Sequence, residues 1–174
     1  ILDKFLNGDP NAEDPFAPTP ENFLYPEIAR IDLPSYWGGH SVHPILGMQI
    51  ADYADDEKNS SRDILVVVSE VTANECGNSR HATFLVDITE EDKPFAISSF
   101  QVPEASGDFC NRGGRFGPHA ANDSMASVYY KNTLFLSYFN AGIRAVDIRD
   151  PFNPRQIAYY IPAITENTDQ RCVE

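Results

Sequence analysis

The chain has 174 residues, 42% of them hydrophobic and 11% aromatic, which suits one domain with a sizeable core and not a disordered polymer. Its formal net charge is −13, with 13 Lys and Arg against 26 Asp and Glu. That balance argues against nucleic acid and against an anionic membrane surface, both of which need basic partners, and no apolar run approaches the about 20 residues that span a bilayer.

Residues 1–24 read as an irregular arm. The segment "GDPNAEDPFAPTPEN" holds Pro10, Pro15, Pro18 and Pro20, and each proline removes a backbone donor. The first residue is Ile1, with no Met and no signal peptide, so the chain reads as a processed or trimmed product.

The pattern beyond the arm is almost entirely β. Short apolar runs rich in β-branched residues, such as "DILVVVSE" (63–70), "ATFLVDI" (82–88), "TLFLSYF" (133–139) and "IRAVDI" (143–148), alternate with Gly, Pro and Asn clusters. No ten-residue segment carries a helical period. The spacing predicts strands over 44–52, 64–70, 82–88, 95–102, 120–130, 133–139, 142–148 and 155–161. "YFNAGIR" reads as a tight hairpin, with Asn140 and Gly142 supplying positive φ.

An internal repeat organises these strands. "FLVDITEEDKPFAISSF" (84–100) lies over "RAVDIRDPFNPRQIAYY" (144–160) at an offset of 60. Val86, Asp87, Ile88, Pro94 and Ile97 meet Val146, Asp147, Ile148, Pro154 and Ile157. Asp87 and Asp147 read as caps of their own turns. Each repeat has an upstream half, giving two four-stranded antiparallel units, the pattern of a β-propeller. The expected organisation is a last strand of a neighbouring blade over 25–34, blade one over 35–104, blade two over 105–163, and a connection over 164–174. Two blades cannot close a ring, which takes roughly four or more. The chain is therefore expected to need further blades, from a continuation or a second chain.

The three cysteines are Cys76, Cys110 and Cys172. None forms a C-x-x-C pair, so a zinc site of that type is unsupported. A Cys76–Cys110 bridge between loops and three free thiols are equal alternatives on sequence alone.

The segment "LFLSYFNAGIRAVDIRDPFNPRQIAYYIP" (134–162) resembles the bacterial LVIVD-repeat proteins. Ser137, Tyr138, Asn140, Gly142, Arg144, Asp147, Asp150, Pro151 and Pro154 stand where that pattern expects them. In the first repeat Glu91 replaces the first proline of the turn. The resemblance implies a propeller of several blades, in proteins that are secreted, periplasmic or at the cell surface, usually with no assigned reaction. A looser similarity runs to selenium-binding proteins and their methanethiol oxidase relatives, which hold copper with histidines. None of their motifs matches residue by residue, so no ligand is carried over.

"GGHSVHP" (38–44) and "GGRFGPHA" (113–120) each set a glycine pair ahead of histidine. His43 and His119 fall where the first, innermost strand of each blade begins, with His40 in the loop above. Neutral imidazoles converging from separate elements suit copper, iron, manganese or zinc, with Glu70 and Asp123 as nearby carboxylates. Structural hydrogen bonds between blades are the simpler reading of the same residues, ahead of a metal. His81 reads as exposed and uninvolved. Arg112 and Arg115, with the backbone N–H groups of their loop, suit a carboxylate or phosphate. The acidic stretch 52–63, with Asp52, Asp55, Asp56 and Glu57, lacks the spacing of a calcium loop. Two functions are consistent with these features: a scaffold binding a small ligand or protein through the channel face, or a metal-dependent enzyme, an oxidoreductase, using the channel-mouth histidines.

Overall fold

The computed structural model describes residues 13–14, 28–34, 36–50, 61–122 and 126–167. They build two four-stranded antiparallel sheets, each a simple up-and-down meander. Sheet one runs β1 (Gly39–Met48), β2 (Arg62–Ser69), β3 (Thr83–Asp87) and β4 (Phe95–Phe100). Sheet two runs β5 (Ala120–Ala121), β6 (Thr133–Ser137), β7 (Ile143–Asp147) and β8 (Arg155–Tyr160). Among the described residues, helix is confined to single 3₁₀ turns at Glu104–Ser106, Phe109–Asn111 and Phe139–Ala141. No sheet closes on itself among the described residues.

The repeat in sequence is a repeat in structure. Asp87 Oδ1 accepts the Thr89 N–H at 2.9 Å, and Asp147 Oδ1 accepts the Arg149 N–H at 3.0 Å. Each Asp therefore caps its own turn, the Asx geometry that its short carboxylate favours. Both outer hairpins also carry a register shift at equivalent places, between Leu85 and Val86 and between Ala145 and Val146. Such a bulge bends the strand and strengthens its twist.

The two sheets meet through a single apolar core. Ile64, Val66, Val68 and Leu85 of sheet one pack against Leu134, Leu136 and Val146 of sheet two, with Tyr138 and the loop residues Val102, Phe109 and Phe116. Each fully buried aliphatic side chain contributes on the order of 1.5–3 kcal/mol. The faces in contact are not equivalent. Leu85 and Val146 face this core, although the repeat aligns Leu85 with Ala145 and Val86 with Val146. A strand alternates sides at every residue, so one sheet presents its even face and the other its odd face. On the far side of sheet one, Leu65, Val67, Phe84 and Val86 look toward Ile28, Ile31 and Leu33 across an apolar cavity of about 480 Å³.

Three expectations change. Residues 28–34 carry no strand. The strand expected over 120–130 is only Ala120–Ala121, and 127–132 form turns with Tyr129 N–H donating to Ala126 O at 2.8 Å. The run "MASVYYKN" lacks the period-2 alternation that holds a half-buried strand. In the hairpin before β7, positive φ falls on Phe139 and Gly142, not on Asn140. A Cβ at position 142 would collide with the Tyr160 carbonyl, so glycine is required there by space as well as by φ +75°.

Candidate functional site

The site lies where the first strands of the two sheets begin. His40 is the second residue of β1, Glu70 follows β2 directly, and His119 stands just before β5. Strand pairing brings them together. The Gly39–Ser69 pair starts the β1–β2 ladder, and His119 N–H donates to Ser137 O at 3.0 Å to start the β5–β6 ladder. The loop before His119 is pressed onto sheet one, with Val71 N–H donating to Pro118 O at 3.4 Å. Gly117 permits this contact, because a Cβ there would strike the Val71 side chain.

Glu70 is the pivot. Its Oε1 takes His119 Nδ1 at 3.0 Å and Arg115 Nη1 at 3.4 Å, and its Oε2 lies 3.5 Å from His40 Nε2. The two imidazole rings stack at 4.7 Å with an interplanar angle of 30°. His40 Nδ1 lies 2.8 Å from the carbonyl oxygen of His119. One ligand-type atom from each of His40, Glu70 and His119 lies within 4.8 Å of the others. The side chains are partly open, Glu70 at 22% and His40 at 40% exposure, so water or a ligand reaches them.

Arg115 is held by its backbone on both sides. It bridges to Asn74, and its carbonyl accepts the Asn140 N–H at 3.1 Å. Its guanidinium lies over the Phe139 ring at 5.3 Å, and His119 packs on the same ring at 5.0 Å. Arg112 lies over Phe109 at 5.6 Å. Arg112, Gly113, Gly114 and Arg115 line an open groove of about 890 Å³ together with Phe139 and residues 161–164.

Of the expected site residues, His40, His119, Glu70 and Arg115 converge, and Arg112 joins them along the groove. His43 does not. It is three residues from His40 on a strand, an odd spacing, and is buried while His40 is exposed. Asp123, and Asp52 to Glu57 of the acidic stretch, lie outside the described residues, as does Cys172. Cys76 and Cys110 are joined in a disulfide, with Cα atoms 5.3 Å apart, which ties the loop after β2 to the loop before β5. His81 is buried, contrary to the expectation of exposure, and lies 2.5 Å from Ser69 Oγ. Burial lowers its pKa from the ordinary histidine value and keeps it neutral. Phe139 was missed by sequence reasoning; an aromatic residue next to a turn glycine carries no signal of contact with an arginine and a histidine.

No protein-family model matches this chain, and no curated protein and no solved structure matches it.

Proposed function

We propose that the chain is part of an exported, LVIVD-type β-propeller that works as a binding scaffold, with its binding surface at the end where β1 and β5 begin. The observation that carries this reading is the groove flanked by Arg112 and Arg115 beside His40, Glu70 and His119. Its volume falls in the range of small-molecule sites, and its lining mixes apolar residues with polar groups from several loops. Guanidinium groups and glycine backbone N–H donors select a carboxylate or phosphate. The non-equivalent faces joined in the core support the propeller assignment, since sheets stacked around an axis meet front to back. The Cys76–Cys110 disulfide supports an oxidising compartment.

The test is thermal unfolding in inorganic phosphate against chloride at equal ionic strength. Phosphate raises the wild-type midpoint and leaves the Arg112→Ala/Arg115→Ala double variant unmoved. Equal midpoints for the wild type in both salts would sink the anion-binding groove.

A second reading, a metal-dependent oxidoreductase, is favoured by the His40–Glu70–His119 cluster. It demands turnover as well as binding. Consumption of dioxygen by metal-loaded protein supplied with ascorbate as electron donor, abolished in Glu70→Gln, would support it over a scaffold.

A further inference from the structure

We propose that His40, Glu70 and His119 hold a divalent transition-metal ion, seated first between His40 Nε2 and Glu70 Oε2. This deepens and rests on the reading of the end surface as a binding face, because it supplies one ligand of that face.

The tautomer of His40 is set by its neighbours. A carbonyl oxygen only accepts, so the 2.8 Å contact between His40 Nδ1 and the His119 carbonyl places a proton on Nδ1. In the neutral ring Nε2 is then a bare lone pair, and it faces Glu70 Oε2 at 3.5 Å. Two lone pairs facing each other repel unless a cation, either a proton on Nε2 or a metal ion, sits between them. Glu70 is divided accordingly. Oε1 is satisfied by His119 and Arg115, while among the described contacts Oε2 meets only the imidazole nitrogen.

The separation fits a metal. With bonds of about 2.0–2.2 Å to nitrogen and oxygen, two ligands of a tetrahedral zinc stand about 3.3–3.4 Å apart. The observed 3.5 Å is that edge with little adjustment. One ligand-type atom on each of His40, Glu70 and His119 lies within 4.8 Å of the others, so the third donor closes by up to about 1.5 Å, which side-chain rotation supplies. The His40 Nδ1–H bond to a backbone carbonyl is the outer contact that fixes a ligating histidine in its tautomer and orientation. That carbonyl belongs to His119, so the backbone of one ligand aims the ring of the other. Two imidazoles and one carboxylate favour zinc, copper, nickel or cobalt over magnesium or calcium. Arg115 sits on the far oxygen of Glu70; its charge weakens the site without filling the position. Solvent access leaves the fourth position to water or to a ligand from the groove.

The probe is zinc ion alone, competed against a chromogenic chelator with the full chain. The expected result is one zinc per chain. His40→Ala and Glu70→Gln each weaken it tenfold or more, and Glu90→Gln, an exposed acid far from the cluster, leaves it unchanged. X-ray absorption of the zinc-loaded wild type needs no variant and should count two imidazoles. No stoichiometric uptake, uptake indifferent to His40→Ala and Glu70→Gln, or an absorption spectrum without imidazole would each overturn the proposal. Phosphate stabilisation without zinc uptake would overturn the metal site alone. Zinc uptake without phosphate stabilisation would uphold the metal site and overturn the groove alone.

Discussion

Sheet one and sheet two share their outer halves and differ in their inner ones. The β3–β4 and β7–β8 hairpins repeat turn, bulge and Asx cap at equivalent residues. The inner strands do not repeat: β1 spans ten residues and β5 only two. In place of strand, sheet two sends Tyr130 and Lys131 onto β1, where the Tyr130 hydroxyl accepts the Leu46 N–H at 3.0 Å and Lys131 Nζ donates to Gly47 O at 2.7 Å. The repeat therefore builds the frame, and the departures from it fall on the inner strands, at whose other end the histidines stand. His81 is another such departure, standing where the second repeat has Ala141.

The largest effect should come from the tie between the two inner halves. The Cys76–Cys110 bridge closes 34 residues, and reducing it should cost about 4 kcal/mol of stability by loop entropy, read from urea midpoints with and without reductant. If the loss is negligible, those loops are held by packing alone and the inner halves are as well determined as the outer ones.

Next comes the shared core. Leu136 is fully buried between the sheets, and Leu136→Ala should cost about 3 kcal/mol with one cooperative transition. Val66→Ala, from the facing side, should lower the same transition. Separate transitions for the two variants would show that the sheets unfold independently and that the comparison joins two unrelated units.

The paired caps sharpen the contrast further. Asp87 is buried at the core side and lies 3.4 Å from Arg62 Nη1; Asp147 is on the opposite side and meets the exposed Arg149. Asp87→Ala should cost about 2 kcal/mol and Asp147→Ala about 1 kcal/mol, measured by the same denaturation. The hydrogen bond from Arg149 also holds the Asp147 carboxyl below its usual pKa. Its contribution is therefore present above the ordinary aspartate pKa and lost as the pH falls through the lowered one. The acid limb of the stability curve should flatten in Asp147→Asn. Equal losses for the two alanine variants would mean that burial does not distinguish the equivalent turns.

The smallest effect is the pH dependence set by His81. Its pKa is lowered by burial, so just below the ordinary value of 6.5 the unfolded chain holds more protons than the folded one. Stability is full above that value and declines as the pH falls toward the lowered pKa. His81→Gln should show a shallower decline between neutral pH and about pH 5 than the wild type, by thermal unfolding. An unchanged slope would assign the decline to other groups.

The outer hairpins were legible because their signals are local. Asp, Pro and alternating β-branched residues fix a turn and two strands within about twenty positions. The register of 84–100 against 144–160 rests on five matched residues. The site was legible only in part. Glycine pairs ahead of His40 and His119 marked both approaches to the inner strands, but which of His40 and His43 faces Glu70 depends on strand parity near an irregular start of β1. Sequence gives that parity only when the strand boundary is known to one residue. The short β5 was illegible for a related reason. Its strand ends at Ala121, before any alternation accumulates, and tertiary contacts through Tyr130 and Lys131 set the path of the chain between β5 and β6.

Because the Leu85 face of one sheet stacks on the Val146 face of the other, the operation that carries sheet one onto sheet two maps the joined face of each onto a far face. An operation of this heterologous kind has a hand and an angle, and it does not terminate of itself. Free of any shift along its axis, it closes when the angle divides a full turn; with a shift, it winds a filament. The two sheets are thus joined with a hand and an angle between unlike faces, and not by a two-fold pairing of like ones.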